Sequence, residues 1–201
     1  MCRLGLNGFD AAYSFGLYEN ELRRLIHLFK YGRIQTLAQP LGRMLATALP
    51  REEQFDVLVP MPMHWIRRWR RGFNQAELLA GELSRRTHLD VRQAVQRVHH
   101  RQAQAGLTNS KRRLNVAGAF RVRNAKGIEG KRVLLIDDVM TTGATASACA
   151  RVLKRAGAAH VSLLTVGRVD RRIAHIDPAT VSDSESTFSG SFEHAKSGSI
   201  A

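Results

Sequence analysis

The chain has 201 residues, 44% of them hydrophobic, which is typical of one domain with some excess chain. Cys2 and Cys149 are too few for a disulfide framework or a thiolate metal site, so we expect a cytoplasmic protein; no run approaches the ~18 apolar residues that cross a membrane. The 31 basic residues against 17 acidic ones leave a formal charge of +14, which favours anionic partners, single-stranded nucleic acid included, although a solvated basic surface would look the same.

The first third of the chain alternates predicted strands and helices. Residues 9–17 alternate loosely and predict an edge strand or a hairpin arm. Apolar residues at helical spacing predict helices over residues 19–31 and 37–49, and a short buried strand follows at 55–59. Lys30 lies at the end of the first helix, where a cation is typically a partner of the helix dipole.

Arginines and tryptophans cluster after the strand at 55–59. Four arginines lie within residues 67–71, and Trp65 and Trp69 stand four residues apart. Guanidinium groups bind phosphate oxygens well, so the cluster predicts an anion site. Interleaved aromatic and basic side chains also suit single-stranded nucleic acid, whereas a solvated loop with a packing pair is the ordinary alternative.

The middle of the chain is less regular. Asn74 is a suitable cap for a helix that runs to about Arg86, and a strand is expected near residues 88–91. Residues 97–116 are polar and basic without a clear element, which is typical of a functional lid or a disordered segment. Residues 118–122 predict a strand that returns to the sheet.

A dense motif follows at residues 133–145. Val133, Leu134, Leu135 and Ile136 predict a fully buried parallel strand that ends on two carboxylates, and an alanine-rich helix is expected over residues 144–156. A further strand at 160–166 completes the alternation, which predicts an α/β fold with a doubly wound, mostly parallel sheet. Ligands bind such sheets at the carboxyl ends of the strands.

The loop after this strand suits a phosphate. Its N–H groups, its hydroxyls and the positive end of the helix dipole favour an anion, and the residues concerned are Thr141, Thr142, Gly143, Ala144 and Thr145. Adjacent carboxylates would repel a phosphate unless they bind another group. We therefore predict that Asp137 and Asp138 accept hydrogen bonds from two ribose hydroxyls while the loop holds the 5-phosphate. An ordinary strand-to-helix turn is the alternative.

Residues 137–145 resemble the phosphoribosyl diphosphate (PRPP) signature of type I phosphoribosyltransferases. Further segments narrow the resemblance to the competence-associated ComF/GntX-like group. They lie at residues 28–32, 59–62 and 71–75 and, more sparsely, at Gln104, Leu107, Arg112, Asn115 and Ala119-Phe120. The resemblance implies the type I fold and Mg²⁺ bound with PRPP. It also implies a pyrophosphate-side loop containing Met61, Arg67 and Arg71, and a flexible hood at 97–116 containing Arg101, Gln104 and Arg112.

Two functions remain open within this resemblance. One is transfer of the phosphoribosyl group from PRPP to an unknown acceptor, and the other is a non-catalytic module that binds PRPP, a nucleotide or single-stranded DNA. The group is linked to uptake of transforming DNA. The resemblance implies a phosphoribosyltransferase-like domain at residues 1–172. A homo-oligomer is compatible with this domain. Residues 173–201 are rich in Ser, Gly and acidic residues, a composition that predicts a disordered tail.

The chain departs from related proteins at two places. Members of this group often carry a cysteine-rich zinc ribbon at the N-terminus, but only Cys2 stands there, so no zinc site is expected because a closed structural site needs four ligands. Purine-salvage phosphoribosyltransferases carry a carboxylate where this chain has Thr141. A purine substrate that needs an acid or base there is therefore disfavoured.

Overall fold

The computed structural model describes residues 8–64, 69, 72–98 and 118–170. No helix in these ranges is long and apolar enough to cross a membrane. In chain order the elements are β1 (Ala11–Leu17), α1 (Asn20–Tyr31), a 3₁₀ turn (Gln35–Leu37), α2 (Ala38–Thr47), β2 (Val57–Pro60), α3 (Gln75–Thr87), β3 (Asp90–Val91), β4 (Val95–Arg97), β5 (Phe120–Val122), β6 (Arg132–Met140), α4 (Ala144–Arg155) and β7 (His160–Arg168).

The main sheet has five parallel strands in the order β1-β7-β6-β2-β3. The segment predicted as an edge strand or hairpin arm is β1, an edge strand that pairs with β7. Parallel strands are covered on both faces, which explains the continuous apolar runs in β6 and β7. The predicted doubly wound, mostly parallel sheet is confirmed.

Successive residues of β6 enter two different cores because side chains alternate across a strand. Leu134 and Ile136 pack with the buried faces of α1, α2 and α3. Val133 and Leu135 pack on the other face, with α4 and the β4–β5 hairpin. All four are fully buried, and each such side chain contributes roughly 1.5–3 kcal/mol to folding. The two cores hold the end of β6 in a fixed position.

The structure corrects the predicted end of the central strand. We expected the strand to stop at Ile136, before the two carboxylates, but β6 continues through them to Met140. The pairing with β7 explains this, because Asp137 lies opposite Thr165 and Val139 opposite Gly167. Asp137 and Asp138 therefore belong to the strand itself and point toward opposite faces of the sheet.

A second correction concerns the strand near residue 120. It does not return to the main sheet but pairs antiparallel with β4, with Arg97 opposite Phe120 and Val95 opposite Val122. Phe120 is only 6% exposed and belongs to the α4-side core, so the hairpin covers this face of the sheet and buries the ring. An antiparallel pair also needs no crossover back into the sheet.

Asn74 caps α3 as predicted and also fixes the loop after β2. Its side-chain oxygen accepts a hydrogen bond from Ala76 N at 3.1 Å, and its Nδ2 donates to the Met61 carbonyl at 3.1 Å. Asn74 is 4% exposed. The Asn74 side chain therefore pairs with a free N–H group at the start of α3 and also positions the segment that leaves the sheet after Pro60.

Several predictions fall outside the described residues. The tail, the limit of the domain at residue 172 and residues 99–116 of the hood are among them. Of the proposed hood segment, Arg97 ends β4 and Val98 N donates to the Ala119 carbonyl at 2.9 Å. The hood and the tail remain predictions.

Candidate functional site

An open cavity of about 280 Å³ lies where β2 and β6 end. Its wall combines the loop after β2, the end of β6, the turn into α4 and the last residues of α1. The lining residues are Lys30, Tyr31, Met61, Pro62, Met63, His64, Arg97, Asp137, Asp138, Val139, Met140, Thr141, Thr142, Gly143, Ala144, Thr145, Ala146 and Leu163. This is the position at which open α/β sheets bind ligands.

Eight residues singled out from the sequence meet in this cavity: Met61, Asp137, Asp138, Thr141, Thr142, Gly143, Ala144 and Thr145. Five others lie outside the described residues, namely Arg67, Arg71, Arg101, Gln104 and Arg112. The structure therefore brings together, in one cavity, the residues predicted to bind ribose and those predicted to bind the 5-phosphate. The roles of these five residues stay predictions.

The turn between β6 and α4 has the backbone that its sequence requires. Gly143 has φ of 73°, in the left-handed region that favours glycine, and it precedes the first residue of α4. Thr142 Oγ1 accepts a hydrogen bond from Ala144 N at 3.3 Å, and the Gly143 carbonyl accepts one from Ser147 N at 2.8 Å. Thr141 and Thr142 are exposed. The turn thus presents hydroxyl groups beside the N-terminus of a helix, a combination that favours anions.

Asp137 is a carboxylate with a raised pKa on the α4 side of the sheet. Burial and the neighbouring Asp138 charge raise the pKa of Asp137 to about 7. The hydrogen bond from Asp138 N, at 2.9 Å to Oδ1, and the charges of Lys30 and Arg97 offset part of this rise in pKa. In the ligand-free protein the Asp137 carboxyl therefore keeps its proton to a higher pH than an ordinary aspartate does.

Asp138 lies on the α1 side and forms an ion pair with Lys30. The distance from Lys30 Nζ to Asp138 Oδ1 is 3.0 Å, and the two side chains are only 17% and 12% exposed. Burial alone would lower the pKa of Lys30, but the attraction of Asp138 and Asp137 outweighs it and the pKa is raised. Lys30 lies in the last turn of α1, as expected for a partner of the helix dipole, and the structure adds an ion pair that the sequence did not predict. The local sequence could not show this, because the partner lies on a strand far along the chain.

Arg97 is the second cation that the sequence did not single out. It lies at the end of β4, lines the cavity and lowers the pKa of Asp137. Its guanidinium carbon is 5.7 Å from the centroid of the Phe120 ring, a distance typical of a cation–π contact. The two faces of the sheet therefore each place one cation near one of the carboxylates.

A metal ion at this site would have to arrive with its ligand. Among the described residues, no group of three or more His, Cys, Asp or Glu side chains could hold a metal ion. Mg²⁺ usually keeps several waters and binds through substrate phosphates with only one or two protein carboxylates. The site is thus chemically compatible with a magnesium complex of a phosphorylated substrate.

Comparisons with known proteins identify the family. The family model of the phosphoribosyl transferase domain matches residues 70–195. Competence protein F of Haemophilus influenzae is 33% identical over 167 residues, which cover 79% of this chain and 73% of that protein. DNA utilization protein YhgH of Escherichia coli is 35% identical over 153 residues, covering 73% of this chain and 66% of that protein.

Among solved structures, glutamine PRPP amidotransferase from B. subtilis is 20% identical, with a TM-score of 0.46 over 64% of this chain and 26% of that chain. The chain spans 73% and 66% of the length of the two curated relatives above. The family match, the competence-protein relatives and the parallel sheet confirm the predicted resemblance. The chain belongs to the ComF-like, competence-associated family of proteins with the type I phosphoribosyltransferase fold.

Proposed function

We propose that the cavity binds PRPP as its magnesium complex and that the protein transfers the phosphoribosyl group to an acceptor. The observation that carries this proposal is the meeting of two carboxylates with the hydroxyl-rich turn in one cavity at the end of β6. Asp137 and Asp138 would accept hydrogen bonds from ribose hydroxyls. The turn at Thr141–Thr145 would bind the 5-phosphate through its N–H and hydroxyl groups.

The charges of the site suit cleavage of the bond between ribose C1 and pyrophosphate. As that bond breaks, positive charge develops on the ribose and negative charge on the leaving group. The carboxylates would stabilise the first charge, and Mg²⁺ bound to the substrate would neutralise part of the second. Arg67, Arg71 and the hood residues Arg101, Gln104 and Arg112 are proposed to bind the pyrophosphate side.

Substitution of each carboxylate by Asn tests the ribose assignment. Asp137→Asn and Asp138→Asn should each weaken binding of PRPP–Mg²⁺ by roughly ten- to hundredfold, because charge-assisted hydrogen bonds contribute about 1.5–3 kcal/mol each. Inorganic phosphate is the control ligand, since loss of negative charge should leave its affinity unchanged or higher. Calorimetric titration measures both. Asn variants that bind PRPP as tightly as the parent would refute the assignment.

Turnover is a separate question from binding. Release of pyrophosphate from PRPP, measured across a panel of bases and amines, tests transfer directly. A protein that binds PRPP but releases no pyrophosphate with any acceptor would be a PRPP-binding module. The Asp137→Asn variant is the matched control, because it should lose both signals if one site is responsible.

Single-stranded nucleic acid is a second candidate ligand, favoured by one observation. Trp69 is 82% exposed, more than any other large hydrophobic side chain described. In the sequence it has four arginines within two positions, and the chain has a formal charge of +14. Exposed aromatic rings stack on bases. Binding should weaken with salt with a slope of about −0.7 per phosphate neutralised, and Trp69→Ala should weaken it further. Phe15→Ala, at another exposed ring on β1, is the control. Salt-independent affinity would exclude this mode.

A further inference from the structure

The carboxylates of the cavity raise an electrostatic problem for any phosphorylated ligand. Asp137 and Asp138 are adjacent on β6 and line the same cavity as the turn at Thr141–Thr145. When both are ionised, they repel the phosphates that the turn is suited to bind. Lys30 and Arg97 line the cavity as well and lie on opposite faces of the sheet end. The positive charges of these two side chains can reduce the repulsion between the carboxylates and the phosphates of a ligand.

We propose that Lys30 is a positioning residue for Asp138: its ammonium holds Oδ1, leaves Oδ2 for a ligand hydroxyl and cancels the charge that would repel the ligand's phosphates. An ionised carboxylate has two oxygens and about four acceptor sites, so one ion pair leaves capacity for a second hydrogen bond. The identity of the ligand rests on the function proposed above. The compensation of the Asp138 charge by Lys30 does not depend on that function, because it applies to any phosphorylated ligand.

The surroundings of Lys30 suit a positioning role. Phe29, the preceding residue of α1, is fully buried, so the backbone that carries Lys30 is anchored in the core. The ammonium also lies 6.0 Å from the centroid of the Tyr18 ring. The ammonium therefore lies between the Asp138 carboxylate and the Tyr18 ring, and the Lys30 side chain is largely buried. A functional group on a rigid element keeps its geometry better than one on a loop.

Stability alone is a weak explanation for this pair. Removing two charges from water costs nearly as much as their attraction returns, and apolar residues of similar volume often replace such pairs without loss. The Lys30–Asp138 pair nevertheless lines a ligand-sized cavity. A role toward the ligand explains its position better than a role in folding.

Lys30→Met is the primary variant, and Lys154→Met is its matched control. Lys154 also pairs with an aspartate, Asp10, at 2.6 Å, but that pair lies outside the cavity, near the start of β7. We expect Lys30→Met to weaken binding of both inorganic phosphate and PRPP–Mg²⁺ by roughly tenfold, because the uncompensated charge of Asp138 would then repel the phosphates. Lys154→Met should change neither affinity, and Lys30→Arg, which keeps the charge, should retain most of the phosphate affinity.

The double variant Lys30→Met/Asp138→Asn separates a counter-charge from a direct phosphate ligand. It removes one positive and one negative charge, so phosphate affinity should return close to that of the parent while PRPP affinity stays low. It also leaves no unpaired charge behind, so it remains informative if Lys30→Met alone folds poorly. Phosphate affinity that does not recover would overturn the proposal, because Lys30 would then contact the phosphate directly.

A ligand-free measurement separates this inference from the proposed function. Lys30 lowers the pKa of Asp137, so its removal should raise the titration midpoint of the Asp137 carboxyl carbon in nuclear magnetic resonance spectra. Lys154→Met should not move this midpoint, and an unmoved midpoint in Lys30→Met would overturn the role of Lys30 as a counter-charge to the carboxylates. If the parent bound phosphate but not PRPP, the proposed function would fail while a loss of phosphate affinity in Lys30→Met would still support Lys30 as the counter-charge.

Discussion

Replacing Asp137 by Asn should stabilise the ligand-free protein. The pKa of Asp137 is about 7 against an ordinary value of 3.8, a rise of about three units, and each unit corresponds to about 1.36 kcal/mol. The upper limit of the gain is therefore about 4 kcal/mol. Partial exposure and relaxation reduce it, so we expect about 2 kcal/mol at pH 8. Asn keeps the oxygen that accepts the hydrogen bond from Asp138 N.

The gain should depend on pH in a defined direction. Because the folded pKa of Asp137 lies above the unfolded value, the folded protein retains this proton up to about pH 7, whereas the unfolded chain loses it near pH 3.8. The destabilisation caused by the carboxylate is absent below about pH 4, grows as the pH rises and is complete above pH 7. The advantage of Asp137→Asn should follow the same course.

The neighbouring substitution should have the opposite sign. Asp138→Asn leaves Lys30 charged and largely buried without its carboxylate, and breaking a buried pair costs about 3–5 kcal/mol, less where some exposure remains. Urea unfolding of both variants and the parent at pH 5 and pH 8 measures these free energies. The reasoning would be wrong if the two variants shifted stability in the same direction, or if the gain at Asp137 did not change between the two pH values.

Three further predictions concern packing, capping and the tail. Gly42→Ala should lower the free energy of unfolding by about 1–3 kcal/mol, because the new Cβ would lie 2.4 Å from Glu82 Cβ. Gly81→Ala should raise the free energy of unfolding by about 0.5–1 kcal/mol, because Gly81 lies in α3 and nothing lies within 4 Å of the new Cβ. Urea unfolding compares the two variants. Asn74→Ala should cost about 1 kcal/mol through the lost cap, and a cost near zero in urea unfolding would contradict that role. Removing residues 177–201 should change stability by less than about 0.5 kcal/mol, and a large drop in melting temperature would show that the tail docks.

The central sheet and the turn after β6 could be predicted from patterns of neighbouring residues in the sequence. The apolar run at Val133–Ile136 and the Gly143 turn depend on residues adjacent in sequence, so the strand, the turn and the helix α4 could be predicted together. The end of β6 could not, because polar residues such as Asp137 are rare in buried strands and only the pairing with β7 keeps them extended.

The cations of the site depend on contacts that are distant in sequence. Lys30 reaches Asp138 from the end of α1, and Arg97 reaches the cavity from a hairpin whose second strand we had assigned to the main sheet. Nothing in the residues around either cation distinguishes it from a solvated one. Such pairs are determined by how the helices and the hairpin pack, which periodicity and motif spacing do not encode.

The course of β6 through its two carboxylates has a consequence for cooperativity. Asp137 belongs to the layer of α4 and the β4–β5 hairpin, whereas Asp138 belongs to the layer of α1, α2 and α3. A ligand that binds both carboxylates would bridge two separately packed layers at the point where the sheet ends. Opening of either layer would then require release of the ligand, so amide protons in α1 and in α4 should gain protection from exchange together when the site is filled.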